Sequence, residues 1–209
     1  MTYAFQSPVT RRRTRAAAMP SPQDILAFWL DECSPSDWYR QDEALDAEIR
    51  RRFEGSWNAA ADGGLGLWLT CPSETLAYIV VTDQFPRNMF RDDPRAFETD
   101  ALARTAAKMA IDRDWDLRID PPARQFFYLP LMHSENLVDQ DRAVRLFHAR
   151  MPGTDNGVHA RAHRKVIRDF GRFPYRNAAL GRSTTEAEQA FLDAGGYRVA
   201  LQAAQAETA

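Results

Sequence analysis

Lysine is nearly absent from this chain of 209 residues. Of its 27 basic residues only Lys108 and Lys165 are lysines, which leaves 25 arginines. A planar guanidinium can hold a carboxylate or phosphate with two parallel hydrogen bonds, whereas an ammonium group is a point charge. A coding bias toward GC-rich codons would produce the same excess without any function. The arginines therefore allow sites for anions but do not by themselves identify one.

The chain also has a small net charge, few cysteines and no long apolar run. The formal net charge of -2 leaves no positive excess to neutralise a run of phosphates, so a dedicated nucleic-acid binder is not expected. Cys33 and Cys71 are too few for a disulfide framework or a zinc knuckle, which predicts a reducing, cytoplasmic setting. No apolar run approaches the roughly 20 residues of a spanning helix, and we expect a soluble chain with no membrane partner.

The first twenty residues differ in composition from the rest. Arg11, Arg12, Arg13 and Arg15 occur here without any acidic residue, and the apolar centre of a secretory signal is missing. We predict a disordered leader over residues 1–20 and a single helical domain over residues 21–209. The alternative for the leader is an interaction tail.

Helical patterns run through the remainder of the chain. Ser21 and Pro22 are typical of a helix start, and we predict that this helix continues to about Glu32. Apolar residues then recur at four-residue spacing from Leu45 to Trp57. Further helices are predicted after Ser73 with an end at Pro86, after Pro94, after Pro121, after Ser134, from His159 to Phe170 with Gly171 as a left-handed cap, and a last one after Thr185. Because no alternating strand pattern is visible, we predict an all-α fold of antiparallel helix pairs.

One short pattern occurs twice. Phe85-Pro86-Arg87-Asn88 returns as Phe173-Pro174-Tyr175-Arg176-Asn177, each time where a helix is predicted to end. Proline halts a helix and asparagine can cap the following turn, so an arginine projects from each corner. Arg87 and Arg176 would then form a pincer for an anionic group. The alternative is that both arginines bind free carbonyls at helix C-termini.

Three segments carry a resemblance to a known family. They read DQFPRNMFR over residues 83–91, FFYLPLMHSENLVDQ over 126–140 and HRKVIRDFGRFPYRNAALGRSTT over 163–185. With Phe97, Asp100 and the ending at 186–192, they resemble the bacterial domain-of-unknown-function family 924, over residues 21 to 195. The resemblance implies a tetratricopeptide-like helical array in which these segments line a common groove, and it implies no reaction. Asp169 and Tyr175 depart from the family pattern, which has Arg and His there, and the missing His weakens any mechanism that uses it as an acid or base.

The unusual residue types in these segments supply the candidate site. His133 and His163 are candidate catalytic acids or bases, since imidazole titrates near neutral pH. Asp, Arg, Glu and Asn residues also gather at the ends of apolar helices, beyond what solvation requires. The ligand-binding candidates are Asp83, Arg87, Asn88, Glu135, Arg172, Arg176, Asn177 and Arg182. For each of these the alternative is a helix cap or a structural ion pair.

Metal and cofactor sites receive little support. His159 and His163 have the spacing of metal ligands on a helix, but no Glu lies between them, and we predict no metal site. No motif in the chain identifies a cofactor.

The residues are consistent with three classes of function. We favour a protein with a polar cleft that binds, or also transforms, a small anionic metabolite. The alternative is a tetratricopeptide-like module that binds a peptide or protein, which rests on fold analogy. A third reading is a helical protein whose polar motifs only hold helix corners. Whether the protein is an enzyme stays open at this stage.

Overall fold

The computed structural model describes residues 18–207, and within this range the fold is all-α, without strands. The predicted leader therefore lies almost wholly outside the described residues. The α-helices are α1 (Pro22–Leu26), α2 (Glu43–Ala61), α3 (Pro72–Ile79), α4 (Phe85–Met89), α5 (Arg95–Glu98), α6 (Asp100–Asp112), α7 (Leu129–Met132), α8 (Leu137–Arg150), α9 (Asn156–Phe170), α10 (Glu186–Asp193) and α11 (Tyr197–Ala206). Two π-helical segments, Ala27–Glu32 and Val80–Gln84, continue α1 and α3, and short 3₁₀ turns lie at Gly66–Thr70, Asp116–Arg118, Ala123–Phe127 and Pro174–Arg176.

Several helix ends lie where the sequence predicts them. Ser21 and Thr185 each form a capping box, in which the hydroxyl accepts from a backbone N–H one turn later and an acidic side chain accepts from the cap residue's own N–H. At the other end of a helix, Gly171 follows α9 with φ of 70°, the left-handed conformation predicted for it.

Pro86 does not stop the helix, contrary to the prediction. The π-helical segment Val80–Gln84 widens the backbone, and the N–H of Phe85 donates to the carbonyl five residues earlier. A proline inside an α-helix clashes with the carbonyl four residues before it, here that of Thr82. In the widened turn the Thr82 carbonyl oxygen instead accepts a hydrogen bond from the hydroxyl of Thr99, with an O···O distance of 2.6 Å. The chain therefore stays helical from α3 through α4.

A helix beyond the predicted last one closes the described chain. Gly195 and Gly196 take positive φ angles of 115° and 56° and separate α10 from α11. Helix α11 packs on α9 through Ala200 and Ala204, which are almost completely buried. Tyr197 and Leu201 are partly buried against the same cluster of apolar residues.

The buried apolar residues form two clusters that share α9. The larger cluster is built from buried apolar residues of α1 to α8 and includes Ala160 of α9. The smaller cluster includes Ala162, Val166 and Ile167 of α9 together with residues of α11. Helix α9 therefore contributes residues to both clusters. In the part of the chain described here, no helix is long and apolar enough to cross a membrane.

Candidate acid–base and ligand-binding site

A pocket of about 710 Å³ lies beside α9. Its lining combines an apolar floor, which includes Trp38, Leu129, Met132 and Met151, with polar side chains from several helices. The polar side chains are those of Tyr39, Arg40, Gln84, Arg87, Asn88, Arg91, Gln125, His133, Thr154, Asp155, Asn156, His159, His163 and Tyr197.

Asp83 and His133 form a buried pair at this pocket. His133, at the C-terminal end of α7, places Nδ1 at 2.9 Å and 3.0 Å from the two carboxylate oxygens of Asp83, which is fully buried in the π-helical segment. Burial disfavours the charge of Asp83, but Arg87 and His133 outweigh this effect, so the pKa of Asp83 falls below its ordinary value. Burial, and then the positive charge of Arg87, lowers the pKa of His133. Because the carboxylate of Asp83 accepts this hydrogen bond, Nδ1 of His133 carries the proton between them.

His163 is a second imidazole in the same lining. Its Nδ1 lies 2.9 Å from the backbone carbonyl of His159, one turn earlier on α9. Because a carbonyl only accepts, Nδ1 carries the proton and Nε2 has a free lone pair. Burial lowers the pKa of His163 to about 3, so the ring is neutral at physiological pH. The ring centroids of His133 and His163 are 6.3 Å apart.

His159 and Tyr197 complete this side of the pocket. His159 Nδ1 and the Tyr197 hydroxyl are 2.7 Å apart, and the Tyr197 ring also lies 4.7 Å from that of His163. This contact engages Nδ1 of His159. His159 and His163 are four residues apart, a spacing that is typical of metal ligands on a helix. Over residues 18–207, no group of three or more His, Cys, Asp or Glu side chains has an arrangement that could hold a metal ion.

Arg87 and Arg176, the two arginines of the repeated pattern, converge on a carboxylate of the protein itself. Arg87 lies 2.9 Å and Arg176 3.4 Å from Asp100 at the start of α6. Both guanidinium groups also lie over the ring of Phe97. Arg87 remains in the pocket lining, whereas Arg176 is 7 % exposed and lies outside that lining.

Asn88 and Arg91 bind a different carboxylate, on the first turn of α2. The Asn88 amide donates to Asp46 at 2.8 Å, and Arg91 forms two hydrogen bonds to the same carboxylate. Arg91 is in the pocket lining, while Asp46 is not. Asp46 therefore orients the Arg91 side chain from a position outside the pocket lining.

The remaining sequence candidates form a second cluster outside the pocket lining. Arg172 and Asn177 both donate to Glu188 on α10. Arg182 pairs with Glu135 at 2.9 Å, and Glu135 also accepts the backbone N–H of Phe173 at 2.9 Å. These contacts hold the chain between α9 and α10 in place. The structure thus places Arg87, Asn88, His133 and His163 in the pocket lining, with Asp83 buried behind His133, and places the other five candidates outside the lining.

Several lining residues were not among the sequence candidates. Tyr39 donates to the side-chain oxygen of Gln125, which also accepts from the Asn156 amide at 2.9 Å. Arg91 is the last residue of a segment that carries the family resemblance, and this position could have identified it as a candidate site residue. Tyr197 begins the unpredicted helix α11, so no sequence pattern pointed to it.

The fold and the pocket together define a helical protein with a polar, histidine-containing pocket. The chain belongs to the family of bacterial proteins of unknown function DUF924, whose model matches residues 25–196. It is similar to the solved structure of a protein of unknown function from Agrobacterium tumefaciens, with 39% sequence identity and a TM-score of 0.79. That likeness covers 83% of this chain and 97% of the other. No curated protein matches the chain.

Proposed function

We propose that this protein binds a small anionic organic molecule in the pocket beside α9. The observation that carries the proposal is the placement of charge. Arg40, Arg87 and Arg91 are in the lining, whereas the acids that orient them lie outside it. A ligand would therefore meet guanidinium N–H donors, and Asp155 is the single acidic residue among the described residues of the lining. Such an arrangement favours carboxylates and phosphates, which guanidinium groups bind with charge-assisted hydrogen bonds.

The size and floor of the pocket support a small molecule over a peptide. Pockets for small molecules usually enclose about 300–1,000 Å³, and they combine apolar walls with a few polar groups. The volume of about 710 Å³ and the floor of Trp38, Leu129, Met132 and Met151 fit that description. We therefore favour an organic anion with an apolar body over an extended peptide.

A thermal-shift screen tests the proposal. Small carboxylates and phosphates are compared with their amides or methyl esters, which keep the shape but lose the charge. A ligand present at about 100 times its dissociation constant adds about 2.7 kcal/mol to the free energy of unfolding, which is readily measured. We expect the anions, and not the neutral analogues, to raise the unfolding temperature.

Two arginine variants localise the effect. Arg91→Gln should weaken the response to the anions, whereas Arg142→Gln should retain it. The two arginines are matched, since each pairs with an aspartate and their side chains are 32 % and 30 % exposed, but Arg142 lies outside the pocket lining. Equal responses to charged and neutral compounds, or equal losses in the two variants, would contradict the proposal.

A further inference from the structure

The pocket contains an imidazole in the state that a general base requires. His133 is held by Asp83 through Nδ1, and Nε2 has no hydrogen-bond partner among the residues that the structure describes. A buried carboxylate in this position selects the tautomer with a free lone pair on Nε2 and stabilises the imidazolium that forms after proton transfer. The side chain of His133 is 14 % exposed and in the pocket lining, so a ligand can reach it.

The charged groups around His133 come from three elements. Asp83 lies on the π-helical segment, Arg87 on α4 and Asp100 on α6, while His163 faces the ring from α9. Arg87 Nη1 lies 3.4 Å from Asp83 Oδ1, the same oxygen that His133 Nδ1 approaches to 2.9 Å. The guanidinium and the imidazole are therefore neighbours. If Arg87 binds the charged group of an organic anion, the neighbouring atoms of that anion would lie beside His133.

Three side chains that often act as nucleophiles are missing from the part of the lining that the structure describes. It contains no serine, cysteine or lysine among the described residues, and its one threonine, Thr154, donates its hydroxyl to the carbonyl of Met151. Serine, cysteine and lysine are among the side chains that form covalent intermediates in enzymes. A base in this pocket would act on a group of the ligand or on a water molecule beside it.

We propose that Asp83 and His133 form a general-base dyad that removes a proton from a hydroxyl group, either of the bound organic anion or of a water molecule next to it. The O–H bond breaks, the electron pair stays on the oxygen, and the proton binds Nε2 of His133. The resulting imidazolium is stabilised by Asp83 and later returns the proton to the product. His133 is the catalytic residue and Asp83 a positioning residue. The inference rests on the proposed function, because Arg87 and its neighbours bind the anion.

Alkylation by bromoacetate tests both parts of this site. Bromoacetate carries its carboxylate one bond from an electrophilic methylene, so it mimics an anion whose reacting atom lies beside the charge. The Nε2 lone pair of His133 would form a bond to that carbon while bromide leaves. Bromoacetamide serves as the uncharged reagent and the exposed His148 as the internal reference. Peptide mass mapping and NMR identify the modified residue and ring nitrogen.

We expect bromoacetate to modify Nε2 of His133 at least about tenfold faster than His148, which corresponds to a difference of about 1.4 kcal/mol in activation free energy. Bromoacetamide should show a smaller preference. Modification of His133 no faster than His148, or on Nδ1, would overturn the dyad even if the thermal-shift screen detects anion binding. Equal rates with both reagents would support the dyad and overturn the anion site.

The role of Asp83 needs a readout that a purely structural residue would not change. In Asp83→Asn we expect the alkylation rate of His133 to fall and the ¹⁵N spectrum to lose the single-tautomer pattern with the proton on Nδ1. Should this variant not fold, the wild-type spectrum decides the question, because a proton found on Nε2 of His133 would overturn the dyad.

Discussion

Arg87 and Arg176 approach the same carboxylate, that of Asp100, from two separate segments of the chain. The distances are 2.9 Å and 3.4 Å, and the two arginines occupy corresponding places in the repeated Phe-Pro pattern. The pincer expected for a ligand is thus present, and an acidic group of the protein occupies it. Through this carboxylate the segment after α9 is tied to α4, which contributes to the pocket.

Asp100→Asn should destabilise the protein substantially. The change leaves Arg176, whose side chain is 8 % exposed, without a carboxylate, and it removes one of the two carboxylate partners of Arg87. Removing one member of a buried ion pair typically lowers the free energy of unfolding by about 3–5 kcal/mol, and we expect the lower end because Asp100 is partly exposed. Urea denaturation measures the change.

Asp112→Asn is the matched control for this variant. Asp112 also pairs with an arginine, but its side chain is 64 % exposed. A surface pair of this kind contributes about 0–1 kcal/mol. Similar losses in the two variants would mean that Asp100 does not hold the arginines in the way described.

Acid should destabilise the protein through its buried histidines. The pKa of His163 falls from 6.5 to about 3 on folding, so the unfolded chain binds this proton more tightly than the folded chain. Its stabilising contribution is complete above pH 6.5 and is lost as the pH falls toward 3. One such histidine contributes a slope of at most about 1.4 kcal/mol per pH unit. The lowered pKa of His133 likewise makes the free energy of unfolding fall as the pH falls. The lowered pKa of Asp83 has the same effect at lower pH.

The free energy of unfolding, measured from pH 7 to pH 4.5, checks this expectation. His163→Gln should have a shallower slope than the wild type, while His148→Gln, at an exposed position, should keep the wild-type slope. A wild-type stability that does not decline over this range would refute the argument.

Alanine substitutions at two glycines should act in opposite directions. Gly171 has φ of 70° after α9, where a side chain is disfavoured, so Gly171→Ala should lower the free energy of unfolding by about 1–2 kcal/mol. Gly55 lies inside α2 with open space around it, so Gly55→Ala should raise that free energy by about 0.5–1 kcal/mol. Thermal unfolding measures both, and two changes of the same sign would contradict the assigned backbone conformations.

Arg182→Gln should leave anion binding unchanged. Arg182 pairs with Glu135 outside the pocket lining, and that pair holds the chain after α9. We expect a modest loss of stability in this variant and an unaltered ligand-induced shift in the unfolding temperature. A weakened ligand response at wild-type stability would place Arg182 in the binding site.

Helix boundaries and fold class could be predicted from the sequence because their causes are local. The capping boxes at Ser21 and Thr185 and the left-handed Gly171 depend on residues within one helical turn. The apolar spacing along α2 likewise lies within one segment of the chain. Pro86 shows the limit, since the π-helical turn that accommodates it is linked to Thr99 on another part of the chain.

The sequence by itself determined that this chain is helical, and it named the residue types of a polar site. The tertiary structure alone decided which of them meet. His133 finds Asp83 across 50 positions of sequence and Arg176 finds Asp100 across 76. Arg172 and Arg182, equally plausible as ligand contacts, bind carboxylates elsewhere. The physical reason is that hydrogen bonds and ion pairs act over about 3–4 Å, so their partners are set by helix packing and not by spacing along the chain.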